Sequence, residues 1–307
     1  MTLSRPEATA LARKCIPIMR QRSDLSIPPG LEYTLTEQDI TLTNMCRLWA
    51  GMGYIYNISF NEYNIIVKRI LPPSREAQSY GDRRKADSYE VEANFYEKVA
   101  LDLIADGVII PVPYFTERAG GQITICMSRL EGRGGPYNDD ETYAVLRWLA
   151  QFHAATWGSK YGHSEKGLQR IGSYWHLDTR PDEHDSMPRR GWEGRLKNAA
   201  KAIDERLKRD TTQCCIHGDA KDANMLFSGK NDKCSVAMYD FQYCGKAPPT
   251  VDLAYFFCVG VGTTDDNDEL LTYYHNELMR RLPTDVTKPS LDDLQDSLAL
   301  AFCDFQR

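Results

Sequence analysis

Apolar and polar positions change their spacing along the chain, and each change marks a predicted element. Residues 8–20 carry apolar side chains at helical spacing, and this pattern stops before Pro28-Pro29-Gly30. Three stretches then alternate as strands do, at residues 41–49, 54–60 and 64–70. Short turns separate them, so the pattern predicts one helix followed by a three-stranded antiparallel meander.

The pattern is mixed between residues 72 and 130. Residues 72–87 are polar and carry both charges, which predicts a loop, and residues 89–103 return to helical spacing. Two more strands are predicted at residues 108–112 and 122–127. The first part of the chain therefore combines a small sheet with one or two helices.

Helical spacing dominates after a glycine-rich connector at residues 131–136. Residues 140–157 form the clearest amphipathic stretch, with Leu146, Leu149 and Phe152 at helical spacing. Further helices are predicted at 192–208, 270–281 and 291–306, and short strands are predicted around the polar motifs at 214–241. We therefore predict an α+β fold with two lobes, residues 1–130 and residues 131–307.

Composition narrows the possible partners. The chain has 37 basic and 43 acidic residues, which gives a net charge of −6 and disfavours nucleic acid or an anionic membrane as the main partner. No apolar run reaches membrane-spanning length. Nine cysteines occur without any C-x-x-C spacing, which is typical of reduced thiols and predicts a cytoplasmic protein.

The densest group of polar residues lies between apolar strand-like runs. It begins at His217-Gly-Asp219, continues with Lys221 and Asn224, and a later apolar run ends at Asp240-Phe-Gln. This spacing matches the catalytic and metal loops of kinases. Phosphoryl transfer needs an aimed hydroxyl and cations around the phosphate, so we assign Asp219 and Lys221 as catalytic and Asn224 and Asp240 as magnesium ligands.

A phosphate-binding lysine and a helix glutamate are expected upstream of such loops. Lys68 lies in an apolar strand, where a charged side chain is costly without a partner. Glu92 and Glu90 both lie on the predicted helix that follows, and we favour Glu92 because the apolar neighbours of Glu92 indicate an inward-facing side.

Two other segments are assigned to the nucleotide. Gly51 and Gly53 join the first two strands, where glycine would let the backbone approach phosphates, although a plain hairpin turn explains them equally well. Met127 and Arg129 lie at the lobe boundary, where an adenine would bond to the backbone.

Three polar residues are interpreted as structural. His217 is expected to brace the catalytic loop, His153 to pack within its helix, and Asp252 to cap a helix or brace the same loop.

These motifs resemble the aminoglycoside phosphotransferase and choline kinase superfamily, and within it the ecdysteroid kinase-like branch. The segments that carry the resemblance are His217-Gly-Asp219-Ala-Lys221-Asp-Ala-Asn224, Asp240-Phe-Gln242-Tyr and Asp252-Leu-Ala-Tyr-Phe256, with support from Glu92-Ala-Asn-Phe-Tyr96 and Leu149-Ala-Gln-Phe-His153. The resemblance covers roughly residues 45 to 307.

The resemblance implies a protein kinase-like fold with a strand-rich first lobe and a helical second lobe. It also implies ATP, Mg²⁺ and a small hydroxylated substrate that binds in the helical lobe. Compared with the superfamily, the chain is expected to lack the last helices that commonly complete this lobe.

Two other functions are consistent with the same motifs. A protein kinase needs a long docking segment after its metal-binding aspartate, but only eleven residues separate Asp240 from Asp252. A catalytically inactive binding module usually lacks one of the chemical residues, and all of them are present here. Both alternatives are therefore less favoured than a small-molecule kinase.

Overall fold

The computed structural model describes residues 2–73, 80–158, 163–261 and 267–306. The chain divides into two compact units. The first unit is Met1–Leu101 with Pro111–Leu130, and the second is Asp102–Ile110 with Glu131–Arg307.

The first unit is built on a five-stranded antiparallel sheet with the strand order β1-β2-β3-β5-β4. The strands are β1 Thr41–Arg47, β2 Gly53–Phe60, β3 Tyr63–Ile70, β4 Pro113–Ala119 and β5 Gln122–Ser128. The predicted meander and the predicted strand at 122–127 are confirmed. β-Branched and aromatic residues alternate in β2 and β3, which suits a sheet that packs on both faces.

The two faces of this sheet carry different helices. Helix α1 (Arg5–Met19) buries its apolar side against one face, where Ile65 and Val67 of β3 also point. Because side chains alternate along a strand, Lys68 points to the opposite face, which carries α3 (Tyr80–Lys98). The short helices α2 Leu31–Thr34 and α4 Ala100–Ala105 complete this part of the chain.

Two predictions about this region are wrong. The loop predicted at 72–87 is helical from Tyr80 onward, although residues 74–79 of that range lie outside the described residues. Arg83 and Asp87 lie on the exposed side of the first turns of α3, whereas Lys85 is buried, so polarity alone did not mark a loop. The strand predicted at 108–112 is irregular, because Pro111 lacks a backbone donor, and pairing begins only at β4.

The second unit is mainly helical. Its helices are α5 Asp139–Ala155, α6 Pro181–Ser186, α7 Gly191–Arg209, α8 Thr250–Phe256, α9 Asn267–Arg281 and α10 Leu291–Phe305. Two small antiparallel pairs accompany them, β6 (Cys214–Ile216) with β9 (Gly245–Ala247) and β7 (Met225–Ser228) with β8 (Ser235–Met238). The predicted helices and the short strands around the polar motifs are confirmed.

Helix α5 forms the centre of this unit. Asn138 caps its first turn in a reciprocal arrangement with Glu141, which satisfies backbone N–H groups that a helix start leaves open. Leu146, Leu149 and Phe152 are fully buried, as the amphipathic pattern predicts. Each such side chain contributes about 1.5–3 kcal/mol through its removal from water.

The fold class is confirmed as α+β, with an antiparallel sheet in the first unit and helices in the second. Within the described ranges, none of the helices combines the length and apolar character needed to cross a membrane.

Candidate active site

Lys68 and Glu92 form a buried ion pair in the first unit. Lys68 Nζ lies 2.6 Å from Glu92 Oε2, and the two residues are only 4 % and 1 % exposed. A buried charge requires such a partner, because desolvation of an isolated ion costs several kcal/mol. The competing residue, Glu90, instead pairs with Arg118 at the surface.

The segment between β1 and β2 requires its glycines. Gly53 has a φ of +140°, and an added Cβ would lie 1.9 Å from the carbonyl oxygen of Arg69. Gly51 has a φ of +70°. The segment is a short 3₁₀ turn closed by a 2.8 Å bond from Leu48 N–H to the Gly53 carbonyl, with Met52 buried beneath it. It therefore has the shape of a tight hairpin turn with exposed backbone at its tip.

Met127 and Arg129 occupy the end of β5. Met127 is buried and pairs with Ile66 of β3, two residues before Lys68. Arg129 is exposed and follows the last residue of the strand. Both lie in the first unit with Lys68 and Glu92, and the Lys68–Glu92 pair joins two of the predicted site residues there.

Three predicted residues, Asp219, Lys221 and Asn224, contact each other in the second unit. The Asp219 carboxylate is only 6 % exposed. Its Oδ2 lies 2.8 Å from Lys221 Nζ and accepts a 3.0 Å hydrogen bond from Asn224 Nδ2. Two donors on one carboxylate oxygen fix the plane of the group, so the loop holds Asp219 in one orientation.

Tyr255 of α8 completes the surroundings of this carboxylate. Its hydroxyl donates a 2.7 Å hydrogen bond to Asp219 Oδ1, and Tyr255 is buried. Burial, together with the negative charge of Asp219, raises the pKa of Tyr255 well above its usual range, so the hydroxyl remains a donor. Sequence reasoning missed this role. The available signal was that Tyr255 follows Asp252 by three residues, which places both on one side of a helix.

Gly218 gives the catalytic loop its shape. It has a φ of +81°, and an added Cβ would lie 2.3 Å from the Tyr243 carbonyl oxygen. The Tyr174 N–H donates to the Gly218 carbonyl at 3.1 Å, which ties the neighbouring segment to this loop. Only glycine adopts this positive φ without strain and also leaves space for the Tyr243 carbonyl oxygen. Backbone geometry therefore fixes the residue directly before Asp219.

Asp252 holds the backbone of the same loop. Its carboxylate is fully buried and accepts hydrogen bonds from the N–H groups of His217 at 2.7 Å and Gly218 at 2.8 Å. His153 Nε2 lies 3.2 Å from the same carboxylate, and His153 Nδ1 lies 2.8 Å from the Tyr274 hydroxyl. This buried chain of hydrogen bonds connects the catalytic loop to α5, α8 and α9.

His217 links the two polar loops. Its Nδ1 accepts a 3.3 Å hydrogen bond from Asp219 N–H, so the proton resides on Nε2, which donates to the Tyr239 carbonyl at 3.1 Å. Both ring nitrogens are engaged with backbone, which suits a brace rather than a proton carrier.

Asp240 is held in an uncommon backbone conformation beside Asn224. Its φ is +71°, which is unfavourable for a residue other than glycine, and its Oδ1 accepts a 2.6 Å hydrogen bond from Gln242 Nε2. Tyr239 N–H donates to the Asn224 carbonyl at 3.1 Å, so the segments that carry Asn224 and Asp240 are bonded to each other. One amide and one carboxylate provide hard oxygen donors of the kind that Mg²⁺ prefers, so these residues fit that ion.

No cluster of three or more His, Cys, Asp or Glu side chains is arranged around a metal position in the described part of the chain.

One protein-family model matches a large part of the chain. The model of the phosphotransferase enzyme family, APH, matches residues 74–283. A comparison with curated protein sequences returned no significant match.

Several solved structures are similar to this chain, and one of them reaches a TM-score above 0.5. A Ralstonia eutropha JMP134 protein provisionally named an aminoglycoside phosphotransferase is 12 % identical, with a TM-score of 0.52 over 96 % of this chain and 97 % of that one. The choline kinase LicA of Streptococcus pneumoniae is 15 % identical, with a TM-score of 0.49 over 94 % and 90 % of the two chains. A microcompartment-associated aminopropanol kinase is 14 % identical, with a TM-score of 0.46 over 95 % and 88 %.

The family match covers more than half of the 307 residues and includes the loops around Asp219 and Asp240. The chain belongs to the APH family of phosphotransferase enzymes.

Proposed function

We propose that this protein transfers the γ-phosphoryl group of ATP to a hydroxyl group of a small molecule, with Mg²⁺ as cofactor. The observation that carries this proposal is the buried Asp219 carboxylate, which Lys221, Asn224 and Tyr255 hold in one orientation. A carboxylate fixed in this way can aim an acceptor hydroxyl, which is the main task of the protein in phosphoryl transfer.

The hydrogen bonds of Asp219 indicate where the acceptor binds. Oδ2 already interacts with Lys221 and Asn224, whereas Tyr255 uses one lone pair of Oδ1. A carboxylate has about four acceptor sites, two on each oxygen. The acceptor hydroxyl therefore donates to the second lone pair of Oδ1. Its proton passes to Asp219 as the new O–P bond forms and the bond between the γ-phosphorus and the β–γ bridging oxygen breaks, which releases ADP.

Lys221 has a second task in this mechanism. Its ammonium group is partly exposed beside Asp219, so it can contact the phosphoryl group while staying near the carboxylate. A cation at this position offsets the negative charge that collects on the transferred group. Asn224 and Asp240 would hold the magnesium ion. When bound, that ion neutralises phosphate charge and orients the phosphates.

We assign nucleotide binding to residues 1–130 and acceptor binding to residues 131–307. In the first part, Glu92 fixes the position of the Lys68 ammonium, so that this group can contact nucleotide phosphates. The turn at Gly51 and Gly53 and the strand end at Met127 and Arg129 keep their predicted roles at the phosphates and the adenine.

A small acceptor is favoured over a protein acceptor. The residues between Asp240 and Asp252 form a turn, strand β9 and the start of α8, and β9 is paired with β6. Every part of this segment is therefore a turn or a regular element of the fold. The segment leaves no loop that could dock a peptide. The solved structures with this fold include kinases of choline and aminopropanol and aminoglycoside phosphotransferases.

We further place the chain in the ecdysteroid kinase-like branch and in the cytoplasm. The first assignment rests on Asp240-Phe-Gln242 and Asp252-Leu-Ala-Tyr255. The second rests on the cysteines, all of which are free thiols, as expected in a reducing compartment.

ADP release from ATP and Mg²⁺ tests the proposed function. The purified protein would be assayed with a panel of hydroxylated amines, amino sugars, sugars and sterols, alongside Asp219→Asn. We expect at least one acceptor to stimulate ADP release by the wild type and none to stimulate it in the variant. If no acceptor stimulates release, or if the variant responds equally, the proposal is wrong.

A further inference from the structure

A second lysine lies on the helix face that carries Glu92. Lys85, Tyr89 and Glu92 follow each other at spacings of four and three residues, so they share one side of α3. All three are buried, and Lys85 is only 7 % exposed. Lys68 Nζ lies 5.3 Å from the ring centroid of Tyr89, so the Lys68 ammonium approaches the side of α3 that also carries Lys85.

Lys85 lacks the carboxylate partner that Lys68 has. Within residues 2–73, 80–158, 163–261 and 267–306, no Asp or Glu side chain forms an ion pair with Lys85. Burial lowers the pKa of Lys85 to about 8, and the charge of Asp82 opposes this shift only in part. A buried and unpaired ammonium is unfavourable for the fold, which points to a use in binding.

Lys85 lies beside the glycine turn. The Lys85 ammonium lies over the indole ring of Trp49, which begins this turn and is largely exposed. The Arg47 side chain lies against the same turn. A Cβ added to Gly51 would lie 2.5 Å from Arg47 Nη2. In the described part of the chain, Arg47 also has no carboxylate ion pair.

We propose that Lys85 is a second phosphate-binding cation for the nucleotide polyphosphate, next to Lys68. This inference rests on the proposed function, because it assumes that the first unit binds a nucleotide. An ammonium group is a compact donor that suits phosphate oxygens, and backbone at positive φ brings N–H groups close to the same anion. Arg47 adds positive charge at the rim of this site.

Titration calorimetry with a nucleotide series tests this assignment. ATP, ADP and AMP, each with Mg²⁺, would be titrated into the wild type, Lys85→Met and Lys98→Met. Lys98 is exposed on the same helix, so its variant controls for a lost lysine charge. We expect Lys85→Met to weaken ATP binding by about tenfold or more and to leave AMP binding close to the wild-type value. Lys98→Met should bind all three nucleotides as the wild type does.

Thermal unfolding separates a binding role from a structural one. Lys85→Met removes a buried, unpaired cation, so its melting temperature should equal or exceed that of the wild type. Lys85→Gln, which keeps a polar side chain, provides a second variant with the same expected loss of ATP affinity. Unchanged ATP affinity in both variants would overturn the inference, as would an equal loss for ATP, ADP and AMP with a lower melting temperature. A wild type that binds no nucleotide would instead refute the proposed function on which the inference rests.

Discussion

At the scale of single residues, the proposed phosphoryl transfer depends on how the Asp219 carboxylate is held. Lys221 and Asn224 share one oxygen, and Tyr255 binds the other. The first two belong to the loop that the sequence singled out, but the sequence assigned them to the phosphoryl group and to magnesium and not to Asp219. Tyr255 could not be predicted as a partner, because its position depends on how α8 packs behind the loop.

Tyr255→Phe removes one hydrogen bond from Asp219 and leaves the ring in place. We expect kcat to fall by about tenfold, which corresponds to one hydrogen bond of about 1.4 kcal/mol to a charged group, with nucleotide affinity unchanged. Steady-state kinetics and calorimetry would measure the two quantities. Tyr143→Phe is a matched control, because Tyr143 donates a 3.0 Å hydrogen bond to the Glu269 carboxylate elsewhere in the second unit.

The outcome of this comparison is specific. A loss of kcat in Tyr255→Phe but not in Tyr143→Phe supports a positioning role for Tyr255. Equal kinetics in both variants would show that the hydroxyl of Tyr255 does not assist Asp219.

Asp252 offers a second prediction at this scale. Asp252→Ala leaves two buried backbone N–H groups, those of His217 and Gly218, without their acceptor. We expect the free energy of unfolding to fall by about 3 kcal/mol or more, because unsatisfied buried groups cost about 1–3 kcal/mol each. Urea unfolding would measure this change. A stability within about 0.5 kcal/mol of the wild type would contradict the brace.

At the scale of elements, the turn between β1 and β2 shows why two glycines occur there. Gly53 needs its φ of +140°, and its missing Cβ leaves space for the Arg69 carbonyl oxygen. Gly53→Ala should therefore destabilise the protein by about 1–3 kcal/mol. Gly30→Ala is a suitable control, since Gly30 also has positive φ but has nothing within 4 Å of an added Cβ. A larger loss at Gly30 than at Gly53 in urea unfolding would contradict this explanation.

Helix α1 is stabilised by charges that respond to pH. Hydrogen bonds from Arg69 and Ser4 lower the pKa of Glu7 to about 2 from an ordinary value of 4.5. A carboxylate with a lowered pKa stabilises the fold above its unfolded pKa, and this contribution is lost as the pH falls from about 4.5 toward 2. Half-exposure of Glu7 keeps the effect small.

Glu7→Gln tests this pH dependence. We expect the difference in unfolding free energy between wild type and variant to be larger at pH 6 than near pH 2.5. Chemical denaturation at both pH values measures the two differences. A difference that grows at the lower pH would contradict the assigned role of Glu7.

Elements with clear periodicity could be predicted, and those that depend on context could not. Strands β2 and β3 are rich in β-branched and aromatic residues because the sheet is covered on both faces, and helix α5 repeats strongly because it has one well-defined buried side. Residues 80–87 begin helix α3 despite their polarity. Lys85, and Ser88 just after this range, are buried, although the sequence alone shows only that their side chains are hydrophilic. The predicted strand at 108–112 failed because apolar residues there pack without pairing.

At the scale of the whole molecule, the order of motifs along the chain carried more information than composition. The α+β fold and the phosphotransferase activity were predicted from a lysine in the third strand, a helix glutamate, an aspartate loop and a second aspartate. The observed fold and the matched family agree with these two predictions. The acceptor could not be predicted in the same way, because the segment 160–195 has no regular pattern and part of it, 160–162, lies outside the described residues.

Metal dependence belongs to this scale as well, because it concerns the complete reaction. Asp240→Asn removes one of the two proposed magnesium ligands without a large change in shape. We expect acceptor-stimulated turnover to fall by at least about a thousandfold at fixed Mg²⁺. Circular dichroism would verify that the fold is intact. Turnover equal to that of the wild type would exclude Asp240 as a metal ligand.

Transfer of label from the γ-phosphate of ATP to an acceptor tests the central claim most directly. Wild type and Asp219→Asn would be compared with the best acceptor from the ADP-release panel, and nucleotide affinity would be measured for both. We expect the wild type to label the acceptor. In the variant, the rate of label transfer should fall by roughly a thousandfold or more, while nucleotide affinity changes little. Equal labelling by both proteins, or a collapse of nucleotide affinity in the variant, would contradict the role of Asp219 as the residue that aims the acceptor.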